Sequence, residues 1–308
     1  MLYTHENISN LDLTKYTRFV TIGCSFTRWD WPTWAECLAQ EMPNAHFINV
    51  GCPGAGNQYI NTMINFLSRK YNLGPETLFG IMWSTFYRED RYVLENDKGR
   101  VINNDRRGWH AQGSILTGGV PIGVYQDDIF LDVSTLEPYH YVIRDLALIN
   151  STNCYLKSAK FDSLTMTTQS MDYMLPPQAD SPMNSGRSQA GVPSDQVDDM
   201  FQEAYDLYHD DLENDLVGSM IHGPDDWPIK HTYPSVKVPD YHPRTLDNAT
   251  WMSQCGLPIT PGTQEYAQKW TDLVDARTDT SWHTHWPWVS RPSEDVQLDF
   301  YEKQFIDQ

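Results

Sequence analysis

The sequence predicts an α/β fold with a parallel sheet, and three observations predict it. Short apolar runs at 19–22, 46–50 and 78–83 read as strands. The first two end in glycine and are followed by stretches with helical spacing. Strand–helix–strand–helix–strand order then calls for right-handed crossovers, which leave neighbouring strands parallel.

The elements follow in order. Phe19-Val20-Thr21-Ile22 is β-branched and apolar and stops at Gly23, as a buried strand entering a tight turn does. Pro32 and Thr33 open a helix: Thr33 and Glu36 have capping-box spacing, and Trp34, Cys37 and Leu38 form an apolar face. His46 to Val50 is the second strand. A helix from about Asn57 to Tyr71 places Tyr59, Ile60, Met63, Ile64 and Leu67 on one side. Leu78 to Trp83 is continuously apolar, which suits a central strand covered on both faces. Residues 96–138 show no sustained period and read as an insertion. Tyr139 to about Asn150 is helical through Val142, Ile143, Leu146 and Ile149, and strand-like residues are expected between Cys154 and Met166. A second insertion spans about 167–236. It holds a loop at 176–196 and an amphipathic helix over Val197–Leu216, with Val197, Phe201, Ala204, Tyr208 and Leu212 on one face. Nine acids and no Lys or Arg between Asp195 and Asp215 make its other face a solvated one. A helix with Leu246, Ala249, Met252 and Cys255 follows, and residues 277–308 form an aromatic tail; one domain over 1–308 is expected.

Composition excludes several classes. The 308 residues suffice for a large buried core, and 40% apolar with 20% charged residues is an ordinary globular mixture. A net charge of −19 opposes binding to nucleic-acid phosphates or anionic membrane surfaces. No apolar run approaches the roughly 18 residues of a membrane span, and the start lacks a secretory signal pattern. Five widely spaced cysteines without a Cys-x-x-Cys pair suggest free thiols in a reducing compartment. The expected location is the cytoplasm of the producing cell, or a virion. The 11 Trp, 17 Tyr and 11 Phe suit either a carbohydrate surface or tight aromatic packing.

Three segments carry chemistry. Gly23-Cys24-Ser25-Phe26-Thr27 follows the first strand, so Ser25 sits at the carboxyl end of the sheet, where open α/β sheets place their sites. Asn49-Val50-Gly51-Cys52-Pro53-Gly54-Ala55-Gly56-Asn57 ends the second strand, and its glycines let backbone N–H groups approach an oxyanion. A phosphate loop is the competing reading, but the spacing matches neither common nucleotide fingerprint. Far downstream, Pro239-Asp240-Tyr241-His242-Pro243 precedes a helix. A carboxylate that orients a histidine is the general-base half of a triad.

Together these blocks resemble the SGNH (GDSL-type) hydrolase superfamily. The resemblance covers about residues 17–90, 139–166 and 236–276. It implies a flavodoxin-like three-layer sandwich and a catalytic triad of Ser25, Asp240 and His242. The oxyanion hole it implies is formed by Ser25 and Gly54, and no cofactor or metal is called for. The implied activity is serine ester hydrolysis, on a small acyl ester such as the O-acetyl groups of a polysaccharide. The sequence departs from the family at three places. Gly23-Cys24-Ser25 lacks the usual aspartate, and Asp240 precedes His242 by two residues where many members show three. The third block, Trp83-Ser84-Thr85-Phe86-Tyr87-Arg88, has no asparagine to complete the oxyanion hole. Thr85 or Ser84 would donate in its place, or Arg88 would fold in. The style of the blocks looks like divergent members encoded by tailed phages of marine bacteria. The alternative is a protein that keeps the hydrolase fold with little or no catalysis and serves as a structural or glycan-binding component, for example of a virion.

Other groups have plainer readings. His283 and His285 with Asp279 have metal-ligand character, but Trp282 to Trp288 reads equally as an aromatic strip packing the tail or stacking on sugars. His222 with Asp225 and Asp226 falls in a loop, and Arg144 reads as a salt-bridging helix residue. The expected partners are an acyl ester or acetylated carbohydrate, with no nucleic acid and no membrane.

Overall fold

The computed structural model describes residues 1–29, 31–86, 88–93, 108–114, 116–117, 120–121, 138–169, 203, 205–208, 212, 215–221 and 242–276. Their elements, in chain order, begin with β1 (Leu2–Tyr3), β2 (Arg18–Ile22), α1 (Trp34–Gln40), β3 (His46–Asn49), α2 (Asn57–Lys70) and β4 (Thr77–Trp83). Four short strands follow: β5 (Arg88–Val93), β6 (Gly108–Ser114), β7 (Leu116–Thr117) and β8 (Val120–Pro121). The remainder are α3 (Pro138–Ser158), β9 (Asp162–Gln169), β10 (Gly218–Ile221), α4 (Thr245–Gln254) and α5 (Pro261–Asp275).

The main sheet runs β3-β2-β4-β9, and every pairing in it is parallel. The outer edge of β9 is shared: β1 pairs with its first half and β10 with its second. With β2 counted as the first strand, this is the doubly wound 2-1-3-4-5 order, whose switch point lies between β2 and β4. All seven residues of β4 are buried, as its unbroken apolar run predicts. α2 and α3 pack together over β2, β4 and β9, while α1 packs with α4 and α5 on the opposite face. The α/β expectation therefore holds, with helices on both faces of a parallel sheet.

The local signals account for most of these elements. Thr33 and Glu36 form the capping box that their spacing predicts. α3 departs from expectation by continuing to Ser158, so Cys154 is helical rather than the start of a strand. The polar stretch behind the misreading is satisfied within the helix, because the hydroxyls of Ser151 and Thr152 both donate to the Leu148 carbonyl. Within the expected acidic helix, Glu203, 205–208, Leu212 and Asp215 are helical. Tyr205 and Leu212 are buried there, and Glu203 and Asp206 are exposed. β10, inside the segment read as the second insertion, supplies a strand of the central sheet. Five free cysteines are present, and burial pushes the Cys255 thiol up to about 11. No helix among the described residues is long and apolar enough to cross a membrane.

Candidate active site

Ser25 lies just past the end of β2, in a turn closed by the N–H groups of Thr27 and Arg28 donating to the Cys24 carbonyl, at 3.0 and 3.2 Å. The N–H of Cys52 donates to the Gly23 carbonyl at 2.9 Å, which brings the second block beside the first. Asn49 locks the two together. Its Nδ2 donates to the Thr27 carbonyl at 2.8 Å and to Glu36 at 2.7 Å, and its Oδ1 accepts from the Gly51 N–H. Thr33 adds a hydroxyl bond to the same Thr27 carbonyl at 2.7 Å. Burial pushes the Glu36 carboxyl upward, against the N–H of Thr33 and the Asn49 amide, which favour its charged form. The Ser25 turn is thus held by α1 and β3.

The second block makes a tight turn for a specific reason. Pro53 and Gly54 occupy its centre, Gly54 has φ +83°, and the Ala55 N–H donates to the Cys52 carbonyl at 2.9 Å. Proline followed by a left-handed glycine is the pairing that a type II turn uses. Among the described residues, neither the N–H of Ser25 nor that of Gly54 has an acceptor. The Ser25 hydroxyl likewise makes no hydrogen bond among the described residues.

His242 comes to this place from the far side of the sequence. The Trp29 ring stacks on the imidazole, with centroids 3.6 Å apart and planes 19° apart. Phe26, next to Ser25, lies at 5.0 Å from the same ring. Trp31 Nε1 donates to the Pro243 carbonyl at 2.7 Å, across 212 residues of sequence. The Thr245 hydroxyl donates to the Pro32 carbonyl at 2.8 Å, so the start of α4 is bound to the start of α1. Asn248 Nδ2 also reaches the Pro243 carbonyl. The serine turn and the histidine are therefore joined by aromatic contact and by backbone anchoring. Asp240 lies outside the described residues, as do His222, Asp225, Asp226, Asp279, His283 and His285.

The third block ends β4 beside the Ser25 turn. Ser84 is fully buried. Its backbone N–H donates to Asn57 Oδ1 at 2.8 Å, and its carbonyl accepts from Asn57 Nδ2 at 3.1 Å. The Asn57 amide therefore reads the end of β4 as a neighbouring strand would. The Ser84 hydroxyl is enclosed, so a ligand could not reach it in this arrangement. Thr85 is half-buried, and its Oγ1 accepts a 3.0 Å bond from Arg88 Nε, leaving its own hydrogen available. Arg88 does not fold in as a donor to the site; its Nη1 is committed to the Ala55 carbonyl at 2.8 Å.

Behind these groups lies a buried polar network that motif reasoning missed. Asp145, fully buried on α3, accepts from Asn57 Nδ2 at 3.0 Å and pairs with Arg144 at 2.7 Å. Burial pushes its carboxyl up to about 6 in spite of Arg144. Arg144 also reaches Glu89 at 3.4 Å and the Arg88 carbonyl at 2.8 Å, so it is the salt-bridging residue its position suggests. One signal for the network was present: Asp145 falls on the same helical stripe as Val142, Leu146 and Ile149, where a carboxylate has to be paired. For Trp29, the Trp-x-Trp-Pro run directly behind Ser25 was the available sign.

No family model matches the chain, and no curated protein does either. Several solved structures are similar in fold. A GDSL-like lipase from Bacteroides thetaiotaomicron is 10% identical with a TM-score of 0.33, covering 88% of this chain and 94% of that one. A putative acylhydrolase from Bacteroides fragilis is 10% identical with a TM-score of 0.33, covering 84% and 86%. The α/β hydrolase LAE5, from the metagenome of Lake Arreo, is 10% identical with a TM-score of 0.38, covering 78% and 95%. At similarities this low, function has to be read from the chain's own side chains.

Proposed function

We propose that the chain is a serine ester hydrolase. Ser25 attacks the acyl carbon and passes its proton to His242; Asp240, two residues upstream, orients the imidazole. The oxyanion takes hydrogen bonds from the N–H groups of Ser25 and Gly54 and from the Thr85 hydroxyl. Collapse of the intermediate breaks the ester C–O bond, and His242 returns the proton to the leaving alcohol. Water, deprotonated by His242, then attacks the acyl-enzyme and releases the acid while Ser25 recovers its proton. No cofactor enters the scheme. The proposed substrate is a small acyl ester, such as an O-acetyl group of a polysaccharide.

The observation that carries this reading is the contact of Phe26 and Trp29 with the His242 ring. Both residues belong to the loop that bears Ser25, and no local feature of the sequence brings that loop to the imidazole. The N–H groups of Ser25 and Gly54, which have no acceptor among the described residues, add the electrostatic half. The test is hydrolysis of p-nitrophenyl acetate and acetylated sugars by Ser25→Ala. Turnover is expected to vanish while Tm stays nearly unchanged; undiminished turnover rejects the assignment.

A further inference from the structure

The third block lacks the asparagine that the resemblance calls for, yet its end is not slack. One guanidinium bridges the third block and the loop of the second. Arg88 Nε holds Thr85 Oγ1 at 3.0 Å, and Nη1 holds the Ala55 carbonyl at 2.8 Å. Two residues along β5, Asp90 holds the other side of the same loop. Its Oδ1 accepts from the Gly56 N–H at 2.8 Å and its Oδ2 from the Tyr59 N–H at 2.9 Å. Arg88 is 8% exposed and Asp90 2%, so these charge-assisted bonds lie out of water, where they are strong and directional. Gly56 is the counterpart of this grip: a Cβ there would meet Arg88 Cβ at 2.7 Å and Asp90 Oδ2 at 2.8 Å.

We propose that Arg88, backed by Asp90, is the positioning residue of the oxyanion hole. It fixes the Thr85 hydroxyl relative to the Gly54 turn, and Thr85 held in this way stands in for the missing third-block asparagine. The inference rests on the serine-hydrolase reading above. The arrangement explains why Thr85 can act as a donor. Its oxygen accepts from a cation, which polarises the hydroxyl and turns the remaining hydrogen away from the guanidinium. It also gives Asp90 a task beyond capping α2. Gly56 offers no side chain to cap that helix, and a carboxylate from a different element takes over the free N–H groups.

Arg88 acts through Thr85 and the Gly54 turn, so its loss is expected to lower kcat and leave KM nearly unchanged. The test compares wild type, Thr85→Val, Arg88→Met, the Thr85→Val/Arg88→Met double variant and Asp90→Asn. The assay is p-nitrophenyl acetate hydrolysis, with inhibition by a trifluoromethyl ketone, which forms a tetrahedral adduct. Thr85→Val and Arg88→Met are each expected to lose kcat on the order of 100-fold, with parallel loss of ketone affinity. The double variant is expected to be no worse than Arg88→Met, because the two residues supply one donor. Asp90→Asn should fall in the same direction. Leu156→Ala controls for general destabilisation: it lies near the end of α3, away from the site, and is expected to lower Tm while keeping kcat.

Fully multiplicative losses in the double variant, or single variants within a few-fold of wild type, overturn the positioning role while the esterase reading survives. A fall in kcat for Leu156→Ala that tracks its fall in Tm, matching Arg88→Met, overturns it as well. Wild-type turnover retained by Ser25→Ala, or wild type that neither turns over nor binds the ketone, overturns the underlying reading instead.

Discussion

Asn57 Nδ2 lies 3.0 Å from Asp145 Oδ2, a buried pair that ties the first turn of α2 to α3 behind the end of β4. The same amide holds both backbone groups of Ser84, so one side chain joins two helices and the central strand. Asn57→Ala would leave the Ser84 N–H and a buried carboxylate without this partner. The expected loss is about 3 kcal/mol, read from urea unfolding, because each stranded buried group costs roughly 1–3 kcal/mol. A loss under about 1 kcal/mol would mean that water or a neighbour replaces the amide readily.

Asp145 predicts a pH dependence of stability. Its carboxyl is raised from 3.8 to about 6 by burial, so the folded chain holds this proton more tightly than the unfolded one. The sign follows: the contribution is fully present below pH 4 and is lost as pH rises through 6. Ionised Asp145 therefore costs about 3 kcal/mol at pH 7 relative to pH 3, at about 1.4 kcal/mol per pH unit of displacement. Measured against wild type, Asp145→Asn should become relatively more stable by that order between pH 4 and pH 7. Parallel stability curves would contradict it.

Trp29 covers one face of the His242 ring, and its loss should matter more for rate than for folding. The indole is half-buried, while the histidine anchor at Pro243 depends on Trp31. Trp29→Ala is expected to lower kcat roughly 10- to 100-fold by loosening the base, with under about 2 kcal/mol lost in stability. Equal proportional losses in both would assign Trp29 to packing alone.

Gly54 adopts φ +83°, a region where a Cβ meets the neighbouring carbonyl. Gly54→Ala should cost about 1–2 kcal/mol by unfolding and reduce kcat further, because the turn's N–H would shift. Unchanged kcat in that variant would remove Gly54 from the oxyanion hole.

What the sequence disclosed follows from how strongly each element is determined locally. β2, β4 and α1 were legible because continuous apolar runs and the Thr33–Glu36 capping box each permit few alternatives. β1 and β10, with two and four residues, carry no period and gain their structure from the edge of β9. In the candidate site, block order singled out Ser25, Gly54 and His242 as candidates. The supports were not. Asp90 caps a helix that begins more than thirty residues earlier, and Arg88 reaches across to Ala55. Such contacts leave no spacing in the sequence to read.

The central claim, that Ser25 is a nucleophile activated by His242, is tested most directly by covalent labelling with a fluorophosphonate, mapped by peptide mass spectrometry. One equivalent of label on Ser25 in the wild type, lost in His242→Ala, is the predicted result. No labelling of the wild type at any pH, or labelling that persists undiminished in His242→Ala, would contradict it.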